Sequence, residues 1–115
     1  MTSTDGTSGI LDGRLRLGAG FHAAERPTVL RDLGALERHL AAWDRDAVDV
    51  EVSVKDRDGP EQQITLEAWL PGLPPLVAKS RAKDMDRALI EARKDLIRQI
   101  EDEKDRHKPR KPRRT

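Results

Sequence analysis

Three histidines and a short acidic segment are the residues of this sequence that could support acid–base or metal chemistry. His22, His39 and His107 lie far apart in the chain, so a metal site would need carboxylates brought to them by the fold. The acids of segment 56–61 lack the twelve-residue calcium-loop spacing and are typical of a turn. The sequence holds no cysteine, nucleophile elbow, HExxH motif or glycine-rich phosphate loop. We therefore expect no enzyme, no cofactor, no metal and no small-molecule substrate.

Cationic side chains near the end of the chain indicate a polyanionic partner instead. At about 100° per residue, four cations share the helix side opposite an apolar stripe: Lys83, Arg87, Lys94 and Arg98. Their pitch can follow a phosphate backbone. A merely solvated face is the alternative interpretation, because long helices place their charges outward.

Further cations extend this candidate surface. Lys79 and Arg81 precede the helix and are expected to pool their charge with its start, while Arg31 and Arg38 share the outer face of an earlier helix. Residues 106–115 hold six Lys/Arg and no acid, which leaves 16 basic and 21 acidic residues, about −5, in residues 1–105. This tail indicates a polyanion approached locally, or else only improves solubility. The candidate polyanion-binding set is Arg31, Arg38, Lys79, Arg81, Lys83, Arg87, Lys94, Arg98, Arg106, Lys108, Arg110 and Lys111.

Apolar periodicity predicts the elements that position these cations. Segments 48–55 and 64–70 alternate as strands around a turn, 76–81 is a weaker strand, and 14–21 is a strand that two glycines weaken or bend. One helix is predicted from Pro27 to Trp43 and another from Asp84 to Arg106, each with a single apolar stripe. The order β-α-β-β-β-α predicts an α+β fold: a four-stranded sheet with two helices packed side by side on one face.

Length and composition are those of one domain. The 115 residues are 36% hydrophobic and 37% charged, with three aromatic residues, too few for a base-stacking platform. Recognition of an RNA backbone and shape therefore fits better than base reading. We expect a mobile leader over residues 1–13, a domain over 14–105 and a disordered basic tail over 106–115. No run is long and apolar enough for a membrane span or signal peptide, which indicates a cytoplasmic protein.

The closing helix also carries a family resemblance. Its Asp84-Met85 opening, Ala88-Leu89, and Arg98-Gln99-Ile100 two turns later resemble the ribosome hibernation factors, the short hibernation-promoting factor and ribosome-associated inhibitor A family (sigma-54 modulation protein family). Pro27 and Trp43, at the two ends of the first helix, are similar to the inhibitor A branch. The resemblance covers residues 14–106. It implies a monomer that binds the small subunit of the 30S/70S ribosome, against 16S rRNA in the mRNA and tRNA channel, and blocks translation sterically in stress or stationary phase.

Several positions depart from that family's pattern. Asp95 stands where a lysine is common, and His39 and Ala42 stand at positions of the first helix that are commonly basic. No dimerisation domain follows, so the chain resembles a divergent short member, with the tail replacing some of the missing charge. Two alternatives stay open: a double-stranded-RNA or other RNA-binding adaptor, and a protein–protein regulator that uses the open sheet face around Trp69.

Overall fold

The structure, a computed structural model, describes residues 9–107. A sheet and a helical layer are built from eight elements in chain order: α1 (Ile10–Arg14), β1 (Leu15–Leu17), α2 (Arg26–Asp32), α3 (Leu36–Leu40), β2 (Asp49–Lys55), β3 (Gln63–Trp69), β4 (Leu76–Arg81) and α4 (Met85–His107). Single 3₁₀ turns lie at Ala23–Glu25 and Arg45–Ala47.

The sheet has the spatial order β1-β2-β3-β4. β1 pairs in parallel with β2, placing Leu15 opposite Val50, and the remaining pairs are antiparallel. Strict alternation along β2 and β3 buries every second side chain on one face and leaves the other face polar. The predicted α+β fold with a four-stranded sheet is confirmed.

The helices cover the apolar face of the sheet and share one core with it. Side chains from α2, α3 and α4 join those of all four strands in a single buried cluster. Leu33, Leu36, Leu89 and Leu96 are fully buried there. Burial of such side chains at about 1.5–3 kcal/mol each is the main force that holds the helical layer on the sheet.

The first helix is not continuous, and the prediction of one helix from Pro27 to Trp43 is wrong in this respect. It breaks after Asp32, where the amides of Gly34 and Leu36 bond three residues back, to Arg31 and Leu33. The guanidinium of Arg93 on α4 donates to the carbonyl of Asp32 at 3.0 Å. The break therefore exposes a carbonyl that α4 binds, and Gly34, a weak helix former, lies within it.

Three boundaries also differ from the prediction. Ile10 and Leu11, placed in the expected leader, form the start of α1 and are buried in the core, so the folded region begins before residue 14. Two carboxylate oxygens of Glu37 accept the amides of these residues and hold α1 on α3. β1 ends at Leu17, ahead of the two glycines, and α4 continues through Arg106 to His107.

Candidate nucleic-acid interface

α4 presents cations to solvent because its apolar residues occupy one side only. Ala88, Leu89, Ala92, Leu96 and Ile100 are fully buried against the sheet. Arg87, Lys94 and Arg98 project from the opposite side and are exposed. We call these three residues the α4 cation row. Beyond Arg98, the outer side of the helix carries acids instead, at Glu101, Asp102 and Asp105.

A buried glutamine fixes the position of Lys83, which precedes the row. Gln62 is 1% exposed and donates to the carbonyls of Ala82 and Lys83 at 2.9 and 3.0 Å. Its side-chain oxygen accepts the amide of Asp58 at 3.0 Å. Because these bonds tie the β2–β3 turn to the start of α4, Lys83 is held in place while its side chain stays exposed.

Ion pairing divides the predicted cations into two groups. Within residues 9–107, five of them are exposed and make no ion pair with a described residue: Arg38, Lys79, Lys83, Arg87 and Lys94. Four are paired with acids: Arg31, Arg81, Arg98 and Arg106. These five unpaired cations can donate hydrogen bonds to a phosphate without first breaking an ion pair within the protein.

Arg98 is the member of the α4 cation row that carries an acid partner. It donates to Asp95 one turn earlier, which raises the pKa of the guanidinium, although the Arg98 side chain is 70% exposed. The other Asp95 oxygen accepts from Gln99 at 3.1 Å, and Gln99 also donates to the carbonyl of Val77 at 2.8 Å. Asp95 thus offsets part of the positive charge of the row and binds Gln99, whose side chain contacts β4.

Arg31 lies between two carboxylates, Asp32 at the end of α2 and Asp86 at the start of α4. Its guanidinium lies 3.3 Å from Asp32 and 3.8 Å from Asp86. Asp32 is 7% exposed, and its burial, together with the neighbouring carboxylate of Asp86, raises its pKa. The net charge around Arg31 is therefore lower than the sequence suggested, whereas Arg38 on α3 stays exposed and unpaired with any described residue.

Lys79 and Arg81 do not share a face with the α4 cation row. Leu76 and Ala78 point from β4 into the core, so Lys79 and Arg81 alternate onto the opposite, open face of the sheet. There Arg81 lies 3.5 Å from Glu61. The expectation that strand end and helix start pool their charge is wrong, because the period of two at the end of β4 sends these side chains away from α4.

The tail cations of the candidate set fall into two parts. Arg106 belongs to α4 and pairs with Glu103 at 3.0 Å. Lys108, Arg110 and Lys111 lie outside the described residues.

α3 and Trp43, which follows it, make contacts with α4 that the sequence did not predict. His39 lies 2.6 Å from Glu101, and this hydrogen bond lowers the pKa of Glu101. Lys104 lies 5.8 Å from the centre of the Trp43 ring. Arg93 and Gln62 were likewise missed. The position of Arg93 at the border of the apolar stripe was a usable signal, but nothing near Gln62 in the sequence indicates its burial.

Metal-binding clusters and membrane-spanning helices are both absent from the described part of the chain. Residues 9–107 contain no group of three or more His, Cys, Asp or Glu side chains arranged to hold a metal ion. None of the helices among them is long and apolar enough to cross a bilayer.

Fold and site together define a small α+β protein whose helical layer displays unpaired cations. The model of the sigma 54 modulation protein / S30EA ribosomal protein family matches residues 22–108. The chain belongs to this family of ribosome-associated proteins, as its closing helix indicated.

Solved structures share the fold at low sequence identity. The N-terminal domain of Protein Y from Thermus thermophilus is similar at 20% identity and a TM-score of 0.59, over 78% of this chain and 94% of that one. A ribosomal subunit interface protein from Coxiella burnetii is similar at 18% identity and a TM-score of 0.56, over 80% and 98%. A comparison with curated proteins gave no match.

Proposed function

We propose that the protein binds the small ribosomal subunit, against 16S rRNA in the channel for mRNA and tRNA, and blocks translation under stress. It acts in the cytoplasm by occupying space, as a monomer off the ribosome, and without catalysing a reaction. Membership of a ribosome-associated family supports the partner. The fold shared with a ribosomal subunit interface protein from Coxiella burnetii agrees with that partner.

The α4 cation row is the observation that carries the proposal. Arg87 and Lys94 are exposed, lie on one side of a helix and have no ion pair with a described residue. Arg98 lies on the same side, and Arg38 is exposed on the neighbouring α3. Cations on a rigid helix can contact successive phosphates of a folded RNA. The candidate tail cations Arg106, Lys108, Arg110 and Lys111 would add avidity more than selectivity.

Cosedimentation with purified 30S subunits and 70S ribosomes tests the proposal. We expect the wild-type chain to move with both at low salt and the double variant Lys94→Glu/Arg98→Glu to stay largely at the top of the gradient. Unfolding midpoints should be nearly unchanged, because both side chains are exposed. For the single variant Lys94→Glu, a matched control is Lys55→Glu, which reverses an exposed lysine on the open sheet face, unpaired with any described residue.

A second measurement tests whether the protein occupies the channel for mRNA and tRNA. Ribosomes already loaded with mRNA and initiator tRNA should bind the protein more weakly than empty ones if it occupies their channel. Equal binding to loaded and empty ribosomes would contradict the steric mechanism. Binding to a generic RNA duplex as tight as to the ribosome would favour an RNA adaptor instead.

A further inference from the structure

The contact between α2 and α4 encloses a carboxyl group with one unsatisfied oxygen. Asp32, the last residue of α2, is 7% exposed. Its Oδ1 accepts from the guanidinium of Arg31 at 3.3 Å. Its Oδ2 is sealed from solvent and has no hydrogen-bond donor among the described residues. An ionised oxygen in this position is costly, so the carboxyl group is more stable here when Oδ2 carries a proton.

Two charged side chains face this carboxyl group, Arg31 from α2 and Asp86 from the first turn of α4. The guanidinium of Arg31 lies 3.3 Å from Asp32 and 3.8 Å from Asp86. Arg93 of α4 binds the backbone carbonyl of Asp32 at 3.0 Å and not its carboxylate. When both acids are ionised, two carboxylates share one guanidinium, and the group carries a net negative charge.

The two acids lie in different environments. The Asp86 side chain is 51% exposed, and its position in the first turn of α4 lets the helix dipole stabilise its negative charge. Asp32 has neither solvent nor a helix N-terminus. Burial and the neighbouring carboxylate of Asp86 raise the pKa of Asp32, and Arg31 opposes this only in part. Asp32 is therefore the acid that keeps a proton, and Asp86 is the acid that accepts a hydrogen bond from it.

We propose that Asp32 and Asp86 share one proton, carried on Oδ2 of Asp32, and that uptake of this proton makes Arg31 available to a phosphate of the RNA partner. The proton removes the net negative charge that holds Arg31. The remaining contact, with the exposed carboxylate of Asp86, is weak. Arg87 of the α4 cation row is the next residue in the chain, so acidification adds positive charge at one end of the row and strengthens RNA binding.

A competing arrangement gives the opposite titration. The Nε atom of Arg93 is also sealed from solvent and has no hydrogen-bond acceptor among the described residues. If this guanidinium moved onto Oδ2 of Asp32, the two would form a buried ion pair. The pKa of Asp32 would then lie below its ordinary value of 3.8, because a nearby cation favours the ionised acid.

A ¹³C NMR titration of the side-chain carboxyl groups in the full chain tests the shared proton. We expect Asp32 to titrate above 3.8 and the signals of Asp32 and Asp86 to follow the same two steps. Asp86→Asn should leave a single step and lower the pKa of Asp32, because an amide can donate to Oδ2. Asp102→Asn, at an exposed acid of α4 that is unpaired with any described residue, should change neither. Titration of Asp32 at or below 3.8 would overturn the proposal in favour of Arg93.

The salt dependence of binding to 30S subunits, measured on both sides of the Asp32 step, tests the availability of Arg31. For the wild type, log affinity against log salt should be steeper by about one unit at the lower pH, as one added phosphate contact implies. Asp32→Asn, which is neutral throughout, should be steep at both pH values, and Arg31→Gln shallow at both. Asp86→Asn makes the same comparison as Asp32→Asn at an exposed position.

A wild-type steepness that ignores pH while Asp32 titrates would overturn the role of Arg31. This role rests on the proposed function, whereas the shared proton belongs to the free protein. A chain that binds 30S subunits at no salt concentration would therefore refute the ribosome proposal and with it the role of Arg31, and the NMR titration would still decide whether the two acids share a proton.

Discussion

The three side-chain hydrogen bonds of Gln62 give the most specific prediction on stability. Gln62→Ala removes three hydrogen bonds, to the carbonyls of Ala82 and Lys83 and to the amide of Asp58, from a residue that is 1% exposed. At about 1 kcal/mol for each bond, we expect the free energy of unfolding to fall by about 3 kcal/mol. That is a large part of the total for a domain of this size.

The neighbouring residue offers a matched control. Gln63 occupies the other face of β3, is half-buried, and its side chain makes no hydrogen bond to another described residue. Gln63→Ala should therefore change the free energy of unfolding by no more than about 0.5 kcal/mol. The two variants make the same Gln→Ala change at adjacent positions, so a difference in their stability reports the hydrogen bonds of Gln62.

Urea unfolding followed by circular dichroism measures both variants. The midpoint should fall for Gln62→Ala with an unchanged m-value, because the surface exposed on unfolding stays similar. Equal midpoints for the two variants would refute the reasoning, since they would mean that the three bonds contribute nothing beyond ordinary strand preference.

Two further predictions concern loop geometry and acid stability. Gly20 has a φ of 90°, and an added Cβ would lie 2.5 Å from the carbonyl oxygen of Val54, whereas Gly72 has a φ of 81° and open space around it. In thermal unfolding, Gly72→Ala should lower the free energy of unfolding by about 1–2 kcal/mol because of its left-handed backbone alone. Gly20→Ala should lower it clearly more. Equal decreases would contradict the close approach to Val54. A hydrogen bond from Arg57 lowers the pKa of Glu25 from 4.5 to about 2. Because the folded pKa is depressed, its stabilisation is present above pH 4.5 and is lost as pH falls toward 2. Glu25→Gln should flatten this part of the stability–pH profile, and an unchanged profile would contradict the pairing.

Strong periodicity explains why much of the fold could be predicted from sequence. The alternating valines of β2 and the apolar stripe of α4 fix which faces are buried, and both agree with the structure. The break at Gly34 could not be read in the same way, because the leucines on both sides keep a helical spacing through it. A tertiary contact supports it: Arg93 of α4 donates to a carbonyl that the break exposes.

The candidate site was less predictable than the fold. Periodicity placed Lys94 and Arg98 together on one helix face, but only side-chain geometry shows that Arg98 has an acid partner and that Lys94 has none among the described residues. The alternation of β4 already implied that Lys79 and Arg81 point away from the core. Because α4 packs on the apolar face of the sheet, that alternation separates them from the α4 cation row.

The salt dependence of binding to 30S subunits is the most direct test of the central claim, that the α4 cation row contacts RNA phosphates. Affinities of the wild type, Lys94→Glu and Lys55→Glu would be measured over a series of salt concentrations. We predict that log affinity falls linearly with log salt, and that Lys94→Glu lowers the steepness by about one unit. Lys55→Glu, an equal charge change on the open sheet face, should keep the wild-type steepness. A flat salt response, or the same loss in both variants, would contradict the account.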